Sequence, residues 1–331
     1  MRSSKRKVDL DHAGQAKNEP ALFKQRASLS MTPVRLPHRL SAPLHNFRIA
    51  GIQHTPSLRA KPTGLMYFSQ VCHRDVRCWL VAIKSVSAAI GPGEFAVVDD
   101  GSLTEADREL LRRHVEDLLI LPLSGVDREG CPAGGCWERL LALLDLNQDY
   151  YVVQVDADLV ARLPLAEVVA AVGSNRGFIL SGEPGVTITT ACQAAENARR
   201  VTFDHVQFAA ERLLEQLPGA NTLRYVRGCA GFAGFPRGLG RGAVVAFSAF
   251  MQQHLGDRWS RWGSEQVTSN FSVANSGPDP LVLPWVRFPA FGWHRDISHA
   301  ALIHFVGTYR YESGVYTRVS RTAIKQISTE Y

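Results

Sequence analysis

Two aspartates directly follow an apolar run near the middle of the chain. The run Tyr151–Val155 has the composition of a buried strand, and Asp156 and Asp158 follow it with one small residue between them. An unpaired carboxylate buried at the end of a strand is costly, so both side chains need a partner. Two carboxylates on one turn can hold a hard divalent cation such as Mn²⁺ or Mg²⁺ and leave coordination positions open for phosphate oxygens. The pair is therefore a candidate metal site.

The segments that position this pair alternate between strand and helix. Apolar strand candidates at 65–72, 95–102, 118–121 and 151–155 are separated by stretches with helical spacing. This pattern predicts an α/β fold, with a mostly parallel central sheet covered by helices on both faces. In such sheets ligands bind beyond the carboxyl ends of the strands. Asp99 and Asp100, after the second strand, should therefore share one crevice with Asp156 and Asp158.

The second half of the chain is less regular. We predict a strand over 177–182, a long helix over 193–217 and a glycine-rich turn region over 227–238. A last apolar strand over 301–311 carries His304. We predict one domain over 63–331, with a nucleotide-binding half at about 64–160 and an acceptor half at about 161–331.

The charge of the chain is concentrated at its beginning. Residues 1–62 contain 12 Lys and Arg against 3 Asp and Glu, a net charge of +9. The whole chain carries +6, so the remaining 269 residues carry −3 by subtraction. Residues 1–62 lack apolar periodicity and are predicted to form a disordered extension. It is either an arm that contacts anionic lipid or nucleic acid, or a solvated extension without a partner. We expect no nucleic-acid partner for the folded body.

The six cysteines do not form a recognisable framework. None of them occurs in C-x-x-C spacing, and a chain of 331 residues needs no disulfides to be stable. The sequence contains no apolar run of membrane-spanning length. A reducing, cytoplasmic setting is the expectation.

The stretch "VVQVDADLV" (152–160) resembles the D-x-D-x-[TV] motif of haloacid-dehalogenase-like phosphohydrolases. That resemblance implies Asp156 as nucleophile and Asp158 as acid. In that family this strand normally opens the core domain, and a later pair of acids binds Mg²⁺. Here several α/β segments come first, and no Asp-Asp or G-D-x-x-x-D follows Asp158.

Other stretches resemble the GT-A nucleotide-sugar glycosyltransferases, in particular the retaining hexosyltransferases related to glycogenin and the bacterial lipopolysaccharide galactosyltransferases. "VVDDGS" (97–102) resembles the first-strand motif that holds the nucleoside. "IHFVGTYR" (303–310) is similar to H-x-x-G-x-x-K, with Arg310 in place of the lysine. "SEQVTSN" (264–270) resembles D-Q-D-x-x-N, and Cys229 occupies the asparagine position of the family's N-A-G.

This second resemblance implies a fold, an activity and a set of roles. It implies a GT-A fold and transfer of a hexose from a nucleotide-diphosphate sugar, most simply a UDP-sugar, to an unknown carbohydrate, lipid or protein acceptor. Asp156, Asp158 and His304 would bind Mn²⁺ or Mg²⁺, and Arg310 would bind the diphosphate. The nucleoside would contact Asp99 or Asp100, and Glu265 and Gln266 would face the sugar and acceptor. A non-catalytic nucleotide-binding protein of the same fold is the remaining alternative.

Overall fold

A computed structural model describes residues 38–292 and 296–329 of the chain. The strands are β1 (Leu65–Val71), β2 (Glu94–Asp99), β3 (Leu119–Pro122), β4 (Tyr151–Val155), β5 (Leu159–Ala161), β6 (Phe178–Ser181), β7 (Thr189–Thr190), β8 (Arg224–Tyr225), β9 (Gly228–Phe235), β10 (Leu281–Leu283), β11 (Ala290–Phe291) and β12 (Leu302–Phe305). The helices are α1 (His38–Arg48), α2 (Val76–Ile90), α3 (Glu105–His114), α4 (Trp137–Leu146), α5 (Ala166–Gly173), α6 (Ala191–Arg199), α7 (Val206–Glu211), α8 (Gly242–Leu255), α9 (Ser264–Ala274) and α10 (Val315–Thr329).

The main sheet has seven strands in the order β10-β6-β9-β4-β1-β2-β3. The pairings β4-β1, β1-β2, β2-β3 and β10-β6 are parallel, and β9 runs antiparallel to both of its neighbours. The carboxyl ends of β1, β2 and β4 therefore lie side by side at one edge of the sheet, where ligands bind in α/β folds.

Alternate residues of the central strands face two apolar cores. Tyr67 and Val71 of β1 pack in one core with α2 and α10. Met66 and Phe68, which point the other way, pack in a second core with α4, α8 and α9. Helices cover both faces of the sheet, and the predicted α/β fold with a mostly parallel central sheet is confirmed.

A smaller sheet returns the C-terminal part of the chain to the end of β4. Its order is β11-β12-β5, and β12 pairs antiparallel with β5. In this register His304 is opposite Leu159, the residue that follows Asp158. The pairing thus fixes where the imidazole of His304 lies along the crevice.

The predicted glycine-rich turn over 227–238 is wrong, because most of it is the strand β9 between β4 and β6. Its glycines leave room for large neighbours rather than forming turns. A Cβ on Gly234 would come 2.3 Å from the Phe178 ring and from the Tyr151 hydroxyl, and one on Gly228 would come 2.8 Å from Ile179. Small residues in a strand can mark such close approaches, and the turn prediction missed this use of glycine.

The boundary of the predicted N-terminal extension also needs correction. Residues 38–62 pack against the body: α1 is followed by a 3-10 turn at Ala50–His54, and Ile49, Ile52 and Leu58 are buried in a core. These apolar residues are too irregularly spaced to form a periodic pattern, so composition alone gave no sign of their burial. Residues 1–37, the rest of the predicted extension and of its proposed membrane contact, lie outside the described residues.

The predicted long helix over 193–217 is replaced by two short helices, α6 and α7, and a 3-10 turn at Leu214–Gln216. Arg212 donates side-chain hydrogen bonds to the carbonyl oxygens of Ala198 and Val201, which ties the break between the helices to α7. The division of the body into a nucleotide half and an acceptor half stays a prediction.

Two expectations about the setting of the chain can be compared with the fold. Over residues 38–292 and 296–329, no helix has both the length and the apolar character needed to cross a bilayer. All six cysteines are free thiols. The cytoplasmic location stays a prediction.

Candidate functional site

The candidate site lies beyond the carboxyl end of β4. The backbone N–H of Asp156 donates to the Gly231 carbonyl of β9 at 2.8 Å, and the carbonyl of Asp158 accepts from the N–H of Phe305 in β12 at 2.9 Å. The strand-end turn is therefore held between β9 on one side and β12 on the other. This fixes the direction of both aspartate side chains.

Asp156, Asp158 and His304 come together in this crevice. Each offers one ligand atom, and the three atoms lie within 4.8 Å of one another. Nε2 of His304 is 3.2 Å from Oδ1 of Asp158. Asp158 and His304 are buried, whereas Asp156 is half-buried and reaches the crevice. The sequence placed these residues in one site, and the structure brings them together.

Space beside this cluster depends on Gly231 of β9. A Cβ at this position would lie 2.4 Å from Cε1 and 2.9 Å from Nε2 of His304, and 3.0 Å from Oδ2 of Asp156. These distances are shorter than any comfortable van der Waals contact, so a side chain here would displace the cluster. The missing Cβ thus leaves the ligand atoms free to approach one another.

Two arginines pair with the aspartates. Arg139 of α4 donates to Oδ1 of Asp156 and, at 3.3 Å, to Oε2 of Glu265. Arg310 donates to Oδ2 of Asp158, 152 positions earlier in the chain. The structure therefore adds to the expectation that a cation alone neutralises the pair, because each carboxylate also has a guanidinium partner.

The glycine of "HFVG" explains how Arg310 reaches this position. Gly307 has a φ of 52°, in the left-handed region that glycine adopts without strain, and it begins the 3-10 segment Gly307–Gly314. The chain turns there from β12 toward the crevice. Nη1 of Arg310 also lies 3.8 Å from Oδ1 of Asp75.

The neighbouring charges shift the pKa values of these groups in different directions. Burial alone would raise the pKa of Asp158, but Arg310 and His304 outweigh it and lower that pKa to about 2. For Asp156 burial prevails over the charge of Arg139, and its pKa is raised. Burial acts to lower the pKa of His304, yet Asp158 raises it well above its usual value. To serve as a ligand, the imidazole must give up its proton.

The predicted sugar-facing residues occupy α9. Glu265 is buried. Its carboxylate is bonded to Arg139, which also bonds Asp156, and accepts from the hydroxyl of Ser269 at 2.8 Å. Burial raises its pKa. Gln266 is half-buried, and Asn270 donates at 3.2 Å to the carbonyl of Gly228 in β9. Glu265 is thus linked to Asp156 through Arg139, while roles in sugar or acceptor binding stay predictions.

Asp99 and Asp100 lie at the end of β2, as predicted, and both hold the following turn. Asp99 is buried, with Oδ2 accepting from Arg108 at 2.5 Å and Oδ1 accepting from the N–H of Gly101 at 2.8 Å. Asp100 is exposed and accepts from Ser102. Their predicted contact with base or ribose stays untested.

Sequence reasoning missed two residues around the crevice, and for a third, Cys229, it gave a motif position but no contact. Arg139 interrupts an otherwise apolar helix face, and a buried charge in such a face is a usable signal. Asp75 follows the end of β1, so the rule that selected Asp99 and Asp156 would also have selected it. Sγ of Cys229 is 3.5 Å from Nδ1 of His304, on the side opposite to Asp158. No pattern in the sequence indicated that contact.

The residues fit a divalent cation. Two carboxylate oxygens and one imidazole nitrogen are a donor set that Mn²⁺ and Mg²⁺ accept. At ligand distances of about 2–2.6 Å, two atoms bound to one ion are at most about 4–5 Å apart, close to the observed spread. The room left by Gly231 lets the three atoms close around an ion.

Comparisons with known proteins give a consistent set of names at low similarity. No protein-family model matches the chain, and no curated protein matches it in sequence. The solved structures that it resembles include several glycosyltransferases.

One of these structures is the galactosyltransferase LgtC in complex with donor and acceptor sugar analogs, which matches 78% of this chain and 95% of its own at 12% identity and a TM-score of 0.43. The bifunctional glycosyltransferase WbbM matches 89% of this chain at 12% identity and a TM-score of 0.46, and the chain spans about half (51%) of its length. Mouse xyloside xylosyltransferase 1 matches 75% of this chain and 97% of its own, at 12% identity and a TM-score of 0.41. Likeness at these scores carries no weight in assigning an activity, which must rest on the site itself.

Proposed function

We propose that this protein is a metal-dependent glycosyltransferase that moves a hexose from a nucleotide-diphosphate sugar, most simply a UDP-sugar, to an acceptor. The proposal rests on one observation: ligand atoms of Asp156, Asp158 and His304 lie within 4.8 Å of one another, and Arg310 is bound to Asp158. A hard-cation site beside an arginine suits a diphosphate, which needs both a metal and a charge-assisted hydrogen bond.

In this proposal Asp156, Asp158 and His304 hold the cation. When bound, the cation would stabilise the negative charge that develops on the diphosphate as the sugar–phosphate bond breaks. Arg310 would turn part of its guanidinium from Asp158 to a phosphate oxygen and keep the leaving group in place. Arg139 bonds both Asp156 and Glu265. This would hold the turn after β4 in place while the cation and the donor bind and leave.

Two competing activities account for less of the geometry. A haloacid-dehalogenase-like phosphohydrolase would use Asp156 as nucleophile, yet Oδ1 of Asp156 accepts from Arg139, and His304 and Arg310 would have no role. A non-catalytic nucleotide-binding protein would not need three metal ligands around one space. Both alternatives are distinguishable by activity.

The test is calorimetry of UDP binding with Mn²⁺ and with EDTA, together with hydrolysis of common nucleotide sugars in the absence of acceptor. We expect UDP binding to require the cation and at least one UDP-sugar to be hydrolysed slowly. UDP binding of equal strength in EDTA would disprove the cation bridge. Turnover of p-nitrophenyl phosphate without any sugar-nucleotide hydrolysis would support the phosphohydrolase instead.

A further inference from the structure

Helix α1 has one side buried against the body and, opposite to it, an exposed apolar side. With about 3.6 residues per turn, Ala42 and His45 line the buried side, and Ile49, the residue after the helix, continues it. Leu40, Leu44 and Phe47 line the opposite side. A helix that only covers the body would be polar on that outer side.

The outer side is a continuous apolar stripe. Phe47 is 76% exposed, Leu40 58% and Leu44 36%. Their spacing of four and three residues places the side chains next to one another along the helix. Scattered exposed apolar residues are common, but three in line on one helix face form a surface that indicates a contact.

Helix α1 and the elements that contact it carry exposed positive charge. Positions 20–74 contain no Asp or Glu, and Arg48 and Arg74 are exposed beside α1. Helix α10 contacts α1 where Thr317 meets Nδ1 of His45 at 2.9 Å. One turn further, on the same face as Thr317, lies the exposed Arg321. Arg318 and Lys325 are also exposed on α10, which contains no acidic residue.

Helix α1, which carries the stripe, packs near the candidate site. Helix α1 packs against the segment Gly307–Gly314 that carries Arg310, and the ring of His45 is 5.4 Å from that of Tyr311. The side chain of Asn46 donates to the backbone carbonyl of Arg74, next to Asp75. A surface that bound the stripe would therefore hold a helix whose other side contacts the segment of Arg310.

We propose that α1 docks the protein on an anionic lipid bilayer, with Leu40, Leu44 and Phe47 inserted between headgroups and the surrounding arginines facing lipid phosphates. Leucine and phenylalanine on one face with basic residues at its margins are the composition of interfacial helices. Basic side chains near an anionic leaflet add attraction that salt screens. Residues 1–37 immediately precede α1 and carry 8 Lys and Arg against 3 Asp and Glu, which supplies a second attraction.

The same charges argue against two other partners for the stripe, a second copy of the chain and residues 1–37 of the same chain. A second copy pairing through this stripe in a two-fold dimer would bring the basic margins of both copies together. Residues 1–37 have a net charge of +5, so charge does not favour their covering the stripe. An anionic bilayer complements both the apolar stripe and its margins.

Sedimentation of the full chain with vesicles tests the proposal. Vesicles of phosphatidylcholine alone are compared with an equal mixture of phosphatidylcholine and phosphatidylglycerol, at low and high salt. We expect binding to the anionic vesicles, weakened by salt, and a loss of about tenfold or more in Phe47→Ser and in Leu40→Ser. Val286→Ser, at another exposed apolar side chain (56% exposed), is the matched control and should bind like wild type.

Charge is tested in the same assay. Arg321→Gln should weaken binding about fivefold at low salt, and Arg112→Gln, an exposed arginine of α3, should not. Equal binding to neutral vesicles, no binding at low salt, or anionic binding that Phe47→Ser and Leu40→Ser leave intact would each overturn the proposal. Sedimentation velocity tests whether a second copy of the chain binds the stripe instead. A dimer that dissociates in Phe47→Ser would support that alternative. None of these readouts depends on the proposed transferase activity.

Discussion

Two regions in which the protein buries charge neutralise it in different ways. In the crevice, Asp156 and Asp158 face the guanidinium groups of Arg139 and Arg310. Farther along α2, Lys84 is 1% exposed and donates to Oγ1 of Thr55 at 2.8 Å, to the Pro56 carbonyl and to Nδ1 of His114 at 3.0 Å. In the first region each charge meets an opposite charge, while in the second a charge meets only neutral acceptors.

The difference indicates what each region is for. Opposite charges that can separate, as Arg310 and Asp158 can, leave ligand atoms that an ion or a phosphate can take over. Lys84 has three ammonium donors and three protein acceptors, so no donor remains for a ligand. Burial lowers its pKa from 10.5 to about 8. The Lys84 cluster therefore ties residues 55–56 and α3 to α2, and its role is structural.

The first prediction concerns that tie and has the largest expected effect. Deleting residues 1–60 removes Ile49, Ile52 and Leu58 from a core and takes Thr55 and Pro56 from Lys84. Burial of such side chains contributes about 1.5–3 kcal/mol each, so the deletion should cost most or all of the stability. Urea denaturation measures this loss. The shorter deletion of residues 1–37 is the control, and equal stability of the two would show that 38–60 do not support the body.

The second prediction concerns the space in the crevice. Gly231→Ala places a Cβ 2.4 Å from the His304 ring and should push apart the groups that bind the cation. We expect Mn²⁺ affinity to fall about a hundredfold or more, since ligand geometry must be held closely. Gly242→Ala is the matched control, because a Cβ there meets no atom within 4 Å. If calorimetry gave both variants the Mn²⁺ affinity of wild type, the cation would not bind at the Asp156, Asp158 and His304 cluster.

These two regions also mark what the sequence could and could not predict. Acids after apolar strands were enough to place Asp99, Asp156 and Asp158 at one edge, because parallel strands end together. His304 was added to them only through the resemblance of "IHFVGTYR" to H-x-x-G-x-x-K. Arg139 and the contact of Cys229 with His304 were missed, since both depend on how α4 and β9 pack. The strand β9 looked like a turn because its glycines accommodate Phe178 and His304, which only the folded structure brings near. Likewise, the pattern of residues 38–62 gave no sign that Lys84 needed them.

The third prediction follows from the lowered pKa of Lys84. Between pH 8 and 10.5 the unfolded chain binds more protons at this lysine than the folded chain, so stability should rise with pH across that window. The change in the pKa of Lys84 from 10.5 to about 8 corresponds to a gain of roughly 3 kcal/mol in unfolding free energy across the whole window. The difference in unfolding free energy between wild type and Lys84→Met should therefore grow from pH 8 to 10.5. Lys61→Met, at an exposed lysine, should show no such growth, and a flat difference for Lys84→Met would contradict the buried charge.

The last prediction concerns Arg310, where the two regions differ most sharply. In the proposed function its guanidinium exchanges Asp158 for the diphosphate. Arg310→Ala would then remove a charge-assisted hydrogen bond to the leaving group, worth about 1.5–3 kcal/mol, and should lower donor turnover roughly ten- to hundredfold. The same change frees Oδ2 of Asp158, so Mn²⁺ affinity should hold or rise rather than fall. His304→Ala should show the reverse, with a loss of Mn²⁺ affinity, because it removes a ligand. Turnover measured at saturating Mn²⁺, beside calorimetry of the metal alone, separates the two effects. If both variants kept full turnover, neither residue would belong to the reacting site, as the phosphohydrolase alternative requires, and the pairing of Arg310 with Asp158 would be structural like that of Lys84.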